Sequence, residues 1–518
     1  MGRHADRNPR WSVSRAAVLV TGLTAFSVIL GFGRDIVIAA VFGAGAGLDA
    51  YLVAQGLMNV VLALIADAMA RSVTPVTARQ AAEETGKCQG HRSFNVALTV
   101  TMVILGLIAV LAGIFTGPVT AVIAPGFGPE QTAITEHLMR IVLLATVFIA
   151  GTNLIASLVQ AHGRFAWSAL EGVPFNIVMI AAAGLFGPVY GIEALAWGFV
   201  IGSALRLSFQ IPPLRTLGTK LRPSFDLKDP GFREIARLAP PMLVGTALTN
   251  VNTMVDRAVA SSLDEGSITA LSYGWRLVHL PETLLIASLL VPLYPALSAS
   301  AKNAPELRRL VGRGLCVTVT VLTPICVVLA VGAVSVVDLA FGYGAFDDTQ
   351  VAVTATALLW YTPALLALGC RQVIVRASYA VGDSRSPVTI AIIAMVINVV
   401  GDIVLGPLMG VAGIALATTL SFIFAAVGNG WLLYRRHHGL EPGMLRGLVV
   451  RAVLLAAIAT VGALALQTFV VDLPAFVILA TITAGVFAIY LLGLLFMRAP
   501  ERTVVTEMIG AMRRKKRG

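Results

Sequence analysis

Six ionisable side chains interrupt stretches that are otherwise apolar: Arg34, Asp67, Asp256, Arg257, Arg276 and Asp402. A charge inside a long apolar run is costly to bury, so each is a functional candidate first and a helix-end residue second. An arginine facing a polar cavity suits a phosphate-bearing substrate, because the guanidinium stays charged at any relevant pH and donates a forked pair of hydrogen bonds. Arg34 and Arg276 are the candidates for that role. The bland alternatives are that Arg34 pairs with neighbouring Asp35 and that Arg276 only meets a carboxylate within a helix bundle. Arg71, Arg140 and Arg206 fall nearer the ends of their runs, where a long stem lets the head group reach the interface.

A second constellation is all oxygen and amide. Asn398 and Asp402 are four residues apart and share one helix face. Thr418 in the following run and Asp256 upstream add a hydroxyl and a second carboxylate. Such oxygens are the ligands a hard cation takes, and the same groups serve membrane helices as hydrogen-bonding glue with no ion. Spacing alone does not choose between the two. The glycine-rich Gly43–Gly47 neither follows a strand nor opens a nucleotide fold, and neither a phosphate-loop motif nor a zincin histidine pair occurs, so ATP-driven transport by this chain alone is not expected.

The elements that must carry these residues are membrane helices. Of 518 residues 57% are hydrophobic and 13% charged, with a mean hydropathy of +0.85, which excludes an ordinary soluble enzyme. Runs long enough to cross the hydrocarbon, about 20 residues each, fall near 16–41, 50–76, 94–119, 136–161, 168–188, 191–213, 236–262, 267–298, 310–338, 350–379, 387–408, 411–434, 447–470 and 473–497. The spacing therefore predicts an all-α polytopic membrane protein of about fourteen helices. The first run is too long for a removable signal peptide and lacks a small-residue cleavage site. Cys88, Cys316, Cys326 and Cys370 have neither metal-ligand spacing nor a disulfide framework and read as small core residues.

The net charge of +11 is explained by topology. Basic residues occupy the N-terminal tail (Arg3, Arg7, Arg10, Arg15) and every second connection: Arg79, Lys87 and Arg92; Arg164; Arg215, Lys220, Arg222, Lys228 and Arg233; Lys302, Arg308 and Arg309; Arg385; Arg435, Arg436 and Arg446. The intervening connections, near Gly43, Pro125, Pro188, Asp264, Asp347, Pro407 and Asp472, have no Lys or Arg. By the positive-inside rule both termini are cytoplasmic and the helix count is even. A nucleic-acid partner would need these charges on one exposed face and is not expected. The basic tail ending Arg513-Arg514-Lys515-Lys516-Arg517 fits the anionic headgroups of the same side.

An internal echo suggests a repeat. The second run passes from Asp49-Ala50-Tyr51 to Pro75-Val76-Thr77-Ala78 and the eighth from Tyr273-Gly274-Trp275-Arg276 to Pro295-Ala296-Leu297-Ser298-Ala299, so that each ends at its cytoplasmic side in a proline followed by small residues. The organisation expected from it is a basic tail (1–15), an N-terminal lobe of six helices (16–213), a cytoplasmic inter-lobe linker (214–235), a C-terminal lobe of six helices around a shared central cavity (236–434), two further helices (435–497) and a basic tail (498–518).

Leu30-Gly31-Phe32-Gly33-Arg34-Asp35, Val41-Phe42-Gly43-Ala44-Gly45 and Leu48-Asp49-Ala50-Tyr51-Leu52-Val53-Ala54 resemble the N-terminus of the MurJ (MviN) lipid II flippases, members of the multidrug/oligosaccharidyl-lipid/polysaccharide exporter superfamily. Ala124-Pro125-Gly126-Phe127 and Gly266-Ser267-Ile268, leading to Tyr273, Arg276 and Pro281, extend the resemblance over essentially the whole chain. It implies a non-enzymatic flippase that moves a polyprenyl-diphosphate-linked peptidoglycan precursor across the bacterial inner membrane, with membrane lipids and cell-wall synthesis or division proteins as partners and no required cofactor. It also implies that Arg34 and Arg276 hold the diphosphate. Asp256, Asn398, Asp402 and Thr418 match the side-chain positions of a sodium site, with Ile414 at the position that contributes a backbone carbonyl. Val28 and Leu62 stand where the family usually carries further arginines. Export of another polyprenyl-linked glycan or a drug, and a non-transporting cell-wall scaffold, are the alternatives.

Overall fold

Without water to take up backbone N–H and C=O groups, an apolar chain in lipid must satisfy them internally, and a helix does so within one segment. The computed structural model describes residues 13–83, 90–219, 221–285, 291–301, 303–470 and 472–496, and its regular structure among these is entirely helical. The two basic tails over 1–12 and 498–518, together with Lys87, Cys88, Lys220 and Lys302, lie outside the described residues.

The helices are α1 (Val13–Phe42), α2 (Ala46–Glu83), α3 (Gly90–Ile114), α4 (Thr116–Ile123), α5 (Pro129–Leu143), α6 (Ala145–Ala161), α7 (Phe165–Leu170), α8 (Gly172–Ala181), α9 (Gly187–Tyr190), α10 (Ile192–Phe209), α11 (Ile211–Thr216) and α12 (Pro230–Ala260). They are followed by α13 (Ser267–Leu285), α14 (Val291–Ala299), α15 (Ala304–Val331), α16 (Ala333–Phe341), α17 (Asp348–Ala380), α18 (Arg385–Met409), α19 (Val411–His437), α20 (Pro442–Val470) and α21 (Ala475–Phe496). Each of the fourteen expected runs contains helix among the described residues. Twelve candidate spans among the described residues are long and apolar enough to cross a membrane. The expected seventh and eighth runs are not among these twelve; they hold α12, with Asp256 and Arg257, and α13, with Arg276, His279 and Glu282, followed by α14.

Several runs hold breaks with local causes. Between α8 and α9 a π turn spans Ala182–Phe186. Pro188 cannot donate to the carbonyl four residues back, at Gly184, and the widened turn absorbs that loss. α2 does not stop at Pro75 as its cytoplasmic end was read to do, and continues to Glu83.

The chain divides into two compact units. Unit 1 comprises 1–42, 50–123 and 128–254; unit 2 comprises 43–49, 124–127 and 255–518. The division lies inside α12, and the 214–235 segment read as a linker is built into unit 1. Arg79 pairs with Glu234, Arg92 reaches Asp226 at 2.7 Å, and Leu214, Phe232 and Ile235 are buried in the same core as Val73, Phe94, Leu154 and Leu158. In unit 2, Leu307, Val311, Leu315, Val373, Ile374, Leu433 and Leu448 form the main core, and Val327, Ala459, Ile482 and Val486 tie α20 and α21 to α15.

Two of the family-like motifs are explained by close backbone packing within unit 2. Gly43 ends α1 with φ +61°, and a Cβ there would lie 2.5 Å from the carbonyl oxygen of Ala345. Gly266 has φ +87°, and its Cβ would lie 2.3 Å from the carbonyl oxygen of Ala44. Only glycine fits both the left-handed backbone and the space.

Candidate functional site

Arg34 lies eight residues before the end of α1, about 12 Å along the axis, and packs against α8 in unit 1. Its Nε and one terminal nitrogen donate to Asp35 Oδ1 at 3.0 and 2.7 Å, and the other terminal nitrogen donates to Asn176 Oδ1 at 3.1 Å. The guanidinium carbon is 5.7 Å from the Phe175 ring centroid. The side chains of Arg34 and Asp35 are 17% and 10% exposed, so the pair is largely desolvated and its geometry is held. A phosphate entering here would exchange with Asp35 for one edge of the guanidinium, an exchange of like for like in charge and donor geometry.

Deeper in unit 1, Asp67 accepts from Asn153 Nδ2 at 3.0 Å. Arg206, read as an end-of-helix residue, is instead bound to Glu171, which also accepts from Gln210 Nε2 at 2.9 Å. Arg140 stays largely exposed and bonds Thr116 and Glu136. Arg71 is exposed.

In unit 2 the structure brings the oxygen and amide groups together. Asn398 Nδ2 donates to both oxygens of Asp402, at 3.2 and 3.1 Å, and approaches Thr418 Oγ1 at 3.4 Å. Asp256 from α12 meets the same Asp402 carboxyl, and its own Oδ1 is buried with no hydrogen-bond partner. Asn398, Asp402, Ile414 and Thr418 are 1%, 0%, 0% and 6% exposed. Ile414 stands one turn before Thr418 on α19, where the helix turns its carbonyl to the same side. The sequence reading missed Tyr361, which is buried on α17 and hydrogen-bonds Thr418. Two carboxyls that meet among apolar helices either share a proton or need a cation between them if both are to stay charged. Two carboxylates, a hydroxyl and a backbone carbonyl are donors that a hard cation takes, and the Asn398 amide, which here turns Nδ2 to Asp402 and Thr418, would have to turn over to add its oxygen.

Arg276 is partly buried on α13, between Tyr273, whose ring stacks on Phe341 at 4.5 Å, and His279. Arg34 belongs to unit 1 and Arg276 to unit 2. Sequence reasoning also passed over two ionisable groups in apolar runs, Glu282 on α13 and Arg371 on α17, although the rule that found Arg34 applies to both. Cys316, Cys326 and Cys370 are of intermediate exposure, and Cys326 Sγ donates to the Thr362 carbonyl at 3.5 Å.

Long apolar helices in two units, with charges held inside the spans, define a multi-pass membrane protein of transporter type. A family model for Lipid II flippase MurJ matches residues 38–480. A probable lipid II flippase MurJ from Vibrio cholerae serotype O1 is 30% identical over 441 residues, 82% of each chain. A lipid II flippase MurJ from Burkholderia cenocepacia is 29% identical over 455 residues, covering 84% of this chain and 86% of that one. Among solved structures, lipid II flippase MurJ in an inward closed conformation superposes with TM-score 0.78 at 23% identity, over 93% of this chain and 99% of that one. A multidrug resistance MATE transporter of the MOP superfamily, inward-facing, gives 0.65 at 13% identity, over 81% of this chain and 98% of that one. The chain belongs to the MurJ lipid II flippase family.

Proposed function

We propose that the chain moves lipid II, a polyprenyl-diphosphate-linked peptidoglycan precursor, from the cytoplasmic to the outer leaflet of the bacterial inner membrane by alternating access. The family match over 38–480 carries this reading. Arg34 and Arg276 are the groups that take the diphosphate, since each is an arginine set into an otherwise apolar helix, and a guanidinium stays charged and offers a planar fork of donors to an oxyanion. The prenyl tail stays in lipid beside α20 and α21, whose Val450, Val453, Ile458, Val461, Leu492 and Phe496 are exposed. The alternation of basic connections supports cytoplasmic termini. The activity is translocation and makes no covalent change to the substrate.

Asp256, Asn398, Asp402 and Thr418, with the Ile414 carbonyl, would hold Na+, whose charge would offset one of the two carboxylates. The protein's own contribution is the buried arrangement that brings α12, α18 and α19 together on these residues. An ion held there can bias the unit only by its differential affinity for two states.

The experiment is complementation of a conditional lipid II flippase mutant, followed by an accessibility assay for the lipid II headgroup at the outer leaflet. Rescue with appearance of headgroup supports the reading, and expression in the membrane without rescue sinks it. Val28 and Leu62, where the family usually has arginine, favour a second substrate, another polyprenyl-linked glycan. That substrate would translocate in vesicles where lipid II does not.

A further inference from the structure

Arg371 stands on α17 nine residues before the helix ends at Ala380, about 14 Å along its axis. It makes no ion pair among the described residues, and its Nε is buried without a hydrogen-bond partner. The carboxylate whose field reaches it is Glu282. That carboxylate makes no ion pair with Arg371: its side chain is 2% exposed, one oxygen lies 2.7 Å from His279 Nδ1 without a hydrogen bond, and the other accepts from Gln372 Nε2 at 3.3 Å.

What Arg371 does touch is aromatic. Its guanidinium carbon is 5.9 Å from the Phe422 ring centroid. Phe422 on α19 stacks on Trp275 of α13, with centroids 5.6 Å apart and planes 12° apart. Trp275 stacks in turn on His279 at 6.3 Å and meets Tyr361 edge-on at 5.2 Å. Three helices of unit 2 thus hold an aromatic strip that ends in a guanidinium.

A guanidinium in a membrane span with unfilled donors is expensive, and the ring contact returns only part of the cost. An arriving oxyanion would fill those donors with charge-assisted bonds in the planar fork that arginine presents. Arg371 is only partly buried, so a ligand can reach it.

We propose that Arg371 is a further substrate-contacting residue, taking an oxyanion of the lipid-linked headgroup, phosphate or carboxylate, with the Phe422–Trp275 strip setting the plane of its guanidinium. This rests on the proposed transport of lipid II.

The test measures binding to the full-length chain in detergent, wild type against Arg371→Gln, with three probes: lipid II, inorganic diphosphate and phosphatidylglycerol. Lipid II affinity should fall about tenfold or more, the loss of one charge-assisted contact. Unliganded thermal stability should stay level or rise, because an uncompensated charge has gone. Phosphatidylglycerol should bind both forms equally. Competition by diphosphate against wild type assigns the oxyanion to phosphate; lack of competition assigns it to a headgroup carboxylate. Arg371→Lys, which keeps the charge and loses the fork, should fold as wild type and still bind lipid II more weakly. Equal lipid II affinity in all three proteins overturns the proposal. If wild type does not bind lipid II, the proposed function fails, and the anion site is judged by diphosphate alone: weaker binding by Arg371→Gln upholds it and equal binding or none removes it.

Discussion

The Asn398 amide donates to both carboxylate oxygens of Asp402 one helical turn along α18, at 3.2 and 3.1 Å. This fixes the Asp402 carboxyl while Asp256 approaches it from α12 with one oxygen unpartnered. Sodium should therefore stabilise the purified protein against heat, by about 2.7 kcal/mol at a hundredfold excess over its dissociation constant. Asp402→Asn and Asp256→Asn should each remove most of that gain. A wild-type protein indifferent to sodium, or variants that respond as wild type does, would leave the cluster as interhelical glue with a shared proton.

Arg276→Ala should abolish transport and leave insertion intact, because the loss is of an anion ligand and not of a lipid-facing surface. For Arg34 the informative change is to Lys. The ammonium keeps the charge but cannot reproduce the two-sided grip on Asp35 and Asn176. Transport by Arg34→Lys should fall about tenfold, the equivalent of about 1.4 kcal/mol, measured as headgroup exposed at the outer leaflet. Full activity of either variant removes that residue from the substrate site.

The sequence displayed the Asn398–Asp402 pair because helix periodicity alone puts residues four apart on one face. It displayed Arg34 and Asp256 because charge is rare in apolar runs. Tyr361 carries no such mark: an aromatic residue in an apolar run reads as packing, and only the approach of α17 to α19 turns its hydroxyl onto Thr418. Arg206 was legible as a charge but not as half of a pair, since Glu171 lies 35 residues away in sequence. Asn176 and Asn153 escaped for the same reason: their partners, Arg34 and Asp67, are brought to them only by folding. The helices themselves were legible almost throughout, because a membrane leaves an apolar chain few alternatives. The attachment of 214–235 to unit 1 was not, because a polar loop segment gives no sign of the ion pairs it will make.

Outside the spans, the turn between α17 and α18 offers a pH test. Burial opposes ionisation of Asp383, but the Ser386 hydroxyl and N–H and the His437 ring outweigh it and hold the carboxyl at about 2. A depressed carboxyl contributes stability that is whole above its unfolded value, about 3.9, and is lost as pH falls toward about 2. Asp383→Asn should therefore be less stable than wild type at neutral pH, with the two melting curves converging as pH falls from about 4 to about 2. A constant offset down to acid pH would show that the variant acts by some other route.

The most local prediction concerns Asp49, which is 2% exposed on α2 and supplies what the N-terminus of α13 lacks. Its Oδ2 accepts from Gly266 N at 2.8 Å, and its Oδ1 accepts from Thr269 N at 2.8 Å and Thr269 Oγ1 at 2.6 Å. The first N–H groups of a helix have no partner within it, and a carboxylate placed there also meets the positive end of the helix dipole. Asp49→Ala would leave both N–H groups buried and unbonded, at about 1–3 kcal/mol for each group. We expect a loss of about 2–4 kcal/mol overall, allowing for partial relaxation around the site. Asp49→Asn keeps one acceptor oxygen but turns an amide N–H2 toward a donor, so it should fall between wild type and alanine. Denaturation in mild detergent, followed by the signal of Trp275 on α13, gives the order. If alanine and asparagine both match wild type, α13 is held by its packing alone and the Asp49 carboxylate is not its cap.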